Sequence, residues 1–183
     1  MKITDLKIKD LRLIELITYK DNRGFFVERF NAKVFQEFGL PTDFAQDNHS
    51  NSAPGVLRGL HYQYSPPQAK LIGVIHGRIW DVAVDLRHHS PTFGQHFGIE
   101  LSAENGKLLW LPRGFAHGFC VLGSESADLL YKVDNPYNAK GENGIHWADP
   151  DLGIEWPIKN PIVSERDQTL PSFSNYKNSQ RLS

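Results

Sequence analysis

The chain has 183 residues, 40% apolar and 22% charged, which fits one ordinary folded domain and excludes a disordered chain or a disulfide scaffold. Twenty Lys and Arg against 21 Asp and Glu give a net charge of −1, so no overall field favours a polyanion such as duplex DNA, and any phosphate must be met locally. The single cysteine, Cys120, the charged start at Lys2, Asp5 and Lys7, and the lack of any apolar run near the ~20 residues of a bilayer span predict a cytoplasmic protein with neither nucleic acid nor membrane as partner.

In chain order, Leu11 to Tyr19 reads as a strand, with Leu11, Leu13, Glu15, Ile17 and Tyr19 alternating against Arg12 and Ile14. Ala32 to Phe38 reads as a short surface helix. Asn31 can cap it, Val34, Phe35 and Phe38 make its apolar face, and Gly39-Leu40-Pro41 stops it. Beyond it the pattern is β. Fifteen Gly and 11 Pro punctuate short apolar runs at the spacing of a sandwich or barrel. Lys70 to Leu86 predicts a hairpin turning at Gly77-Arg78: Ile72, Val74 and His76 share one face, and Trp80, Val82, Val84 and Leu86 alternate with Asp81, Ala83 and Asp85. Further strands are expected at Phe97 to Leu101, Lys107 to Leu111, Phe119 to Leu122 and Ala127 to Val133. The predicted fold is an all-β jelly roll of eight or more strands with few helices, ending in a frayed or partner-held tail from Ser172 to Ser183.

Several side chains could do chemistry. Arg58 and His61 follow a turn and fall on opposite pleat faces unless the strand bulges, which Gly59 permits; they read as an anion-binding guanidinium with a proton-transfer imidazole, or as a surface Arg and a buried, hydrogen-bonded His. Lys70 shares a face with Ile72 and Val74, so it lines an inner wall beside an anionic or enolate-like partner, or reaches solvent from the strand end. Tyr131 is a core tyrosine or a proton donor, and Asp167 a loop residue unless a partner recruits it. Pro112-Arg113-Gly114-Phe115-Ala116-His117 resembles the second motif of the cupin superfamily, whose members often hold a metal. However, His61-Tyr62-Gln63 lacks the second His of the first motif, so no metal site is expected. His49, His76, His88, His89, His96 and His146 read as loop or structural residues.

Six segments, Asp21 to Glu28, Gln46 to Ser50, Val56 to His61, Asp81 to Arg87, Ser90 to Gly94 and Pro112 to Phe119, together resemble the dTDP-4-dehydrorhamnose 3,5-epimerase family over about residues 10 to 171. The resemblance implies a cupin-type jelly roll spanning residues 1–183 as one domain. It also implies a homodimer that exchanges N-terminal strands, no cofactor, and a dTDP-linked 4-keto-6-deoxyhexose as substrate. The implied chemistry inverts C3 and C5 through an enolate. By the same resemblance His61 is the base, Asp167 orients it, Lys70 sits beside the C4 oxygen, and Tyr131 is the acid on the opposite sugar face. Arg23, Glu28, Gln46, Asn48, Arg58, His117, Glu142 and Arg166 stand where the family binds the nucleotide sugar, and Tyr137 where a ring stacks on thymine. Asn135-Pro136-Tyr137-Asn138-Ala139 departs from the family pattern of paired aromatics and a later proline, which puts the shape of the base-binding loop in question. A single-site 3- or 5-epimerase of a related sugar shares the same four catalytic residues and is the alternative reading.

Overall fold

In the computed structural model, which describes residues 1–179, short antiparallel strands dominate. The elements are β1 (Lys2–Asp5), β2 (Arg12–Glu15), β3 (Thr18–Asp21), β4 (Gly24–Val27), α1 (Ala32–Glu37), β5 (Gln46–Ser52), β6 (Leu57–Gln63), β7 (Lys70–His76), β8 (Arg78–Asp85), β9 (His96–Ser102), β10 (Lys107–Leu111), β11 (Phe115–Val121), β12 (Ala127–Val133), β13 (Glu142–Gly144), α2 (Glu165–Gln168) and α3 (Phe173–Lys177). Six strands form one sheet in the order β1-β2-β10-β7-β12-β5, and five form a second in the order β13-β6-β11-β8-β9; β3 and β4 make a separate ribbon. Successive strands from β5 to β8, and again from β9 to β12, fall in opposite sheets, which is the winding of a jelly roll.

The strands buried most deeply are apolar on both faces, and the packing explains why. Ile72, Val74, Leu109 and Leu129 of the larger sheet meet Ile79, Ala83, Leu101 and Phe119 of the smaller one between the sheets. Leu71, Leu108 and Trp110 point outward and are covered by Phe35 and Leu40, while Leu60, Val82, Val84 and Ala116 are covered by Ile145, Leu152, Phe173 and Tyr176. Each such Leu, Ile or Phe contributes roughly 1.5–3 kcal/mol by leaving water.

Four expectations need correction. Lys70 to Leu86 contains the two strands but no hairpin: β7 pairs with β10 and β12, whereas β8 pairs with β11 and β9. Gly77, at φ +69°, carries the chain across from one sheet to the other, in a space where a Cβ would run into the Ser126 carbonyl. The strand expected at Leu11 to Tyr19 is split into β2 and β3, with Leu16 N–H bonded to Gly106 O between them. A turn closed by Leu6 N–H to Leu11 O tucks Leu11 between the sheets, so of the odd-numbered set only Leu11 is fully buried, and Ile14 from the opposite face joins it. The helix α1 is capped by Asn31, which accepts from Lys33 N and Val34 N, but only Phe35 is buried; Phe38 is 45% exposed, so one aromatic anchors the helix. Finally, the expected tail begins with the helix α3 (Phe173–Lys177), capped by Ser172 and held by buried Phe173 and Tyr176. Phe173 N–H donates to Asp149 Oδ2 at 2.9 Å and Tyr176 Oη to Leu86 O at 2.6 Å. Beyond residue 179 the expected tail lies outside the described residues.

Candidate active site

The strand β6 bulges where Gly59 allowed it. On β11, His117 faces His61 but Phe119 faces Arg58, so three steps along β6 oppose two along β11. Gly59 has φ +117°, and a Cβ there would lie 2.6 Å from Gly118 Cα and 2.8 Å from His117 O. The extra residue turns Arg58 and His61 to the same side, into a cleft of about 210 Å³ between the sheets, while Leu60 and Tyr62 join the outer core.

The two sheets supply facing walls. Gln46 and Asn48 on β5, Lys70 on β7 and Tyr131 on β12 line one; Arg58 and His61 on β6, His117 on β11 and Glu142 on β13 line the other, with Tyr137 at the rim. Asp167 lies behind His61 and Arg166 at the edge, so eleven of the thirteen sequence-nominated residues converge here. Arg23 and Glu28 do not. Arg23 lies on the exposed β3–β4 ribbon, paired with Asp21, and Glu28 accepts from Asn31 Nδ2.

Asp167 is held by the four-residue helix α2, whose cap Ser164 accepts from Asp167 N–H at 3.1 Å. Its buried carboxylate sits 2.7 Å from His61 Nε2 and accepts from Gly59 N–H at 3.0 Å. Burial opposes its ionisation, but the bonds from His61 and Gly59 outweigh that and hold its pKa below the ordinary carboxylate value. The carboxylate therefore stays charged, His61 Nε2 carries a hydrogen towards it, and Nδ1 keeps the lone pair of a base.

Burial pushes the Lys70 ammonium below the ordinary lysine pKa, and the carboxylates of Glu142 and Asp81 push it partly back. Burial and Glu142 raise the Tyr131 hydroxyl, against a smaller opposing effect of Arg58, so it stays a protonated phenol. Arg58 donates to Ser52 Oγ at 2.9 Å and Asn51 O at 3.0 Å, which aims its guanidinium. Glu142 accepts from Arg166 at 2.7 Å and from Tyr137 Oη at 3.1 Å.

Sequence reasoning missed Asp81. It is fully buried on β8 and lies 2.7 Å from His117 Nε2, a second imidazole–carboxylate pair. Its signal was present as a charge on the same face as Ile79 and Ala83. Ser50, Gln68, Phe119 and Leu129, which also line the cleft, carry no comparable signal. Among the described residues no three His, Cys, Asp or Glu groups converge as a metal-ligand set, and His61 and His117 each give Nε2 to a carboxylate. His88 stacks on both Phe93 and Tyr176, which also touch each other, a structural role as expected.

Such a site, with a carboxylate-held imidazole on one wall of a jelly roll and a lysine and a phenol on the other, defines a cupin-type acid–base enzyme. The family described as dTDP-4-dehydrorhamnose 3,5-epimerase matches residues 5–175. A relative of that description from Shigella flexneri is 51% identical over 169 residues, covering 91% of this chain and 93% of the relative. The crystal structure of a dTDP-6-deoxy-D-glucose-3,5-epimerase from Legionella pneumophila, in complex with dTDP-4-keto-L-rhamnose, superposes with a TM-score of 0.90 at 47% identity, covering 93% of this chain and 92% of that one. A dTDP-4-dehydrorhamnose 3-epimerase from Streptomyces niveus is 38% identical over 170 residues, covering 92% of this chain and 82% of the relative. The chain belongs to the dTDP-4-dehydrorhamnose 3,5-epimerase family.

Proposed function

We propose that the protein inverts C3 and C5 of dTDP-4-dehydro-6-deoxy-D-glucose to give dTDP-4-dehydro-L-rhamnose, in dTDP-L-rhamnose biosynthesis. The observation that carries this is the division of labour between the walls: His61 stands on the smaller sheet and Tyr131 on the larger. Inversion requires a proton to leave one face of the sugar and another to arrive at the opposite face, and two facing sheets supply the two groups. The C4 ketone acidifies both neighbouring carbons. His61 takes the proton, Asp167 fixes its tautomer, and the Lys70 ammonium stabilises the oxyanion that develops as the proton leaves. Tyr131 returns a proton to the enolate from the other side.

Arg58 and Arg166 give the near-neutral chain a local cationic site for the diphosphate, and His117, Gln46, Asn48, Glu142 and Tyr137 hydrogen-bond or stack on the rest of the nucleotide sugar. Arg23 and Glu28, on or beside the exposed ribbon, serve the cleft of a second copy in a homodimer. No helix among the described residues is long and apolar enough to cross a membrane, and a nucleotide-sugar substrate with one buried free cysteine supports a cytoplasmic location. The mechanism uses no cofactor or metal, so turnover is expected to survive exhaustive chelation; activity lost to chelation and restored by a divalent metal would contradict it.

The relative described as a 3-epimerase keeps a single-site reading in play. Incubating the protein with substrate in deuterated water and assigning the product by NMR separates the two. Label and inversion at both C3 and C5 establish the double epimerase, and label at one carbon alone replaces it with the single-site enzyme.

A further inference from the structure

We infer that Gln63 is a positioning residue for nucleobase binding: its buried side-chain amide clamps the chain on both sides of Tyr137 and fixes that ring as a stacking platform. The inference rests on the reading that Tyr137 stacks on the base.

Gln63 is the last residue of β6, two positions beyond His61, and is 4% exposed. Its Nε2 donates to Pro66 O at 2.9 Å and Pro136 O at 3.1 Å, and its Oε1 accepts from Asn138 N–H at 2.8 Å. The last two partners are the carbonyl before Tyr137 and the amide after it. Tyr137 N–H itself donates to Gln46 Oε1 at 2.9 Å, and Gln68 Nε2 donates to Asn135 O at 2.8 Å. The segment has left the ladder, since β12 ends at Val133, so side-chain amides replace the strand neighbours that would otherwise hold its backbone. The ring is 55% exposed, yet its hydroxyl is tied to Glu142 at 3.1 Å. Tyr137 is thus fixed at its backbone and its tip while its ring is open to a ligand.

Fixing the ring matters because a platform that must be ordered on binding subtracts that ordering from the affinity. Stacking of a base on an aromatic ring changes affinity by roughly 5- to 150-fold. A loosened loop forfeits part of that factor, and the loss appears only with ligands that carry a base.

The test compares binding of dTDP with binding of 2-deoxyribose 5-diphosphate, which lacks the base, by calorimetry on the wild type, Gln63→Leu, Gln63→Met, Tyr137→Ala and the Gln63→Leu/Tyr137→Ala double variant. Gln63→Met keeps the length of an unbranched side chain and makes none of the three bonds, so it serves where the branched substitution fails to fold. The expected result is a loss of about tenfold for dTDP in Gln63→Leu and in Gln63→Met, and affinity for the base-free ligand within about twofold of wild type. Gln63→Leu should add little in the Tyr137→Ala background. Equal losses for both ligands would reduce Gln63 to general support of the strand and overturn the proposal. Weakened dTDP binding in Tyr137→Ala with none in folded Gln63 variants would overturn the proposal alone, whereas unchanged binding in Tyr137→Ala would overturn the stacking reading and the clamp with it.

Discussion

Single residues in the cleft set stability against chemistry, and Lys70 shows the conflict most directly. Its folded-state pKa lies below the unfolded value, so the unfolded chain binds more protons between the two, and stability rises with pH across that window; below the folded value the penalty of the buried charge is fully present. Lys70→Met should therefore raise the thermal midpoint while lowering turnover by roughly 10²–10³-fold, the range for losing one oxyanion-stabilising group. A midpoint that falls by several degrees would show the ammonium to be well paired instead. The same shift fixes the alkaline limb of the turnover profile, which should lie below the ordinary lysine value of 10.5, since Tyr131 is raised and stays protonated there. The Asp167 pKa is depressed as well, but here the charged form is the stabilising one, so its contribution is present above the unfolded carboxylate value and is lost as pH falls through the folded one. Asp167→Asn should leave the fold intact and cut turnover by orders of magnitude, because an amide can favour the wrong imidazole tautomer. Turnover within about threefold of wild type, a gap of only ~0.7 kcal/mol, would remove Asp167 from the mechanism.

Among elements, the β6–β11 bulge decides whether a site exists. Without the extra residue at Gly59, Arg58 and His61 would face opposite sides of the sheet. Gly59→Ala places a methyl group against backbone rather than against a yielding side chain, at a φ of +117°. A loss of about 3 kcal/mol or more is expected, with turnover falling further than folding alone explains. A denaturant midpoint and activity near wild type would mean that the bulge forms without the glycine. Strand positions and the possibility of this bulge were legible in the sequence, because alternation and Gly–Pro punctuation are local. Strand partners were not. Ile72 and Val82 fit a hairpin equally well, and only burial on both faces, with Gly77 crossing between sheets, separates the alternatives. For the same reason Asp167 looked like a solvated loop residue when judged on its neighbours. It meets His61 across 106 residues of chain, so its role was legible only through family resemblance. Asp81 and Gln63 escaped because a polar residue in an alternating strand looks the same whether it faces solvent or a buried partner.

The whole molecule carries one feature that a single chain leaves unexplained. Tyr19, Phe25 and Phe26 on the β3–β4 ribbon are 62%, 69% and 68% exposed, in a unit that belongs to neither main sheet. Apolar surface gathered this way is characteristic of an interface, and the homodimer proposed above would cover it with a second copy of the chain and give Arg23 a cleft to enter. Co-expressing His61→Ala with Arg23→Ala tests this, because a mixed dimer holds one cleft with its base intact and an intact ribbon from the other copy. The pair should recover about a quarter of wild-type turnover while each variant alone stays inactive. No recovery would place Arg23 outside the partner's cleft. The central claim, that base and acid act from facing sheets, is tested most directly by following solvent deuterium and inversion together in Tyr131→Phe and His61→Ala. Tyr131→Phe retains the base and Lys70, so it should still form the enolate and take up deuterium while inverted product, above all at C5, falls steeply; His61→Ala should lose both. Equal loss of exchange and inversion in Tyr131→Phe, or full inversion without its hydroxyl, would contradict the two-wall mechanism.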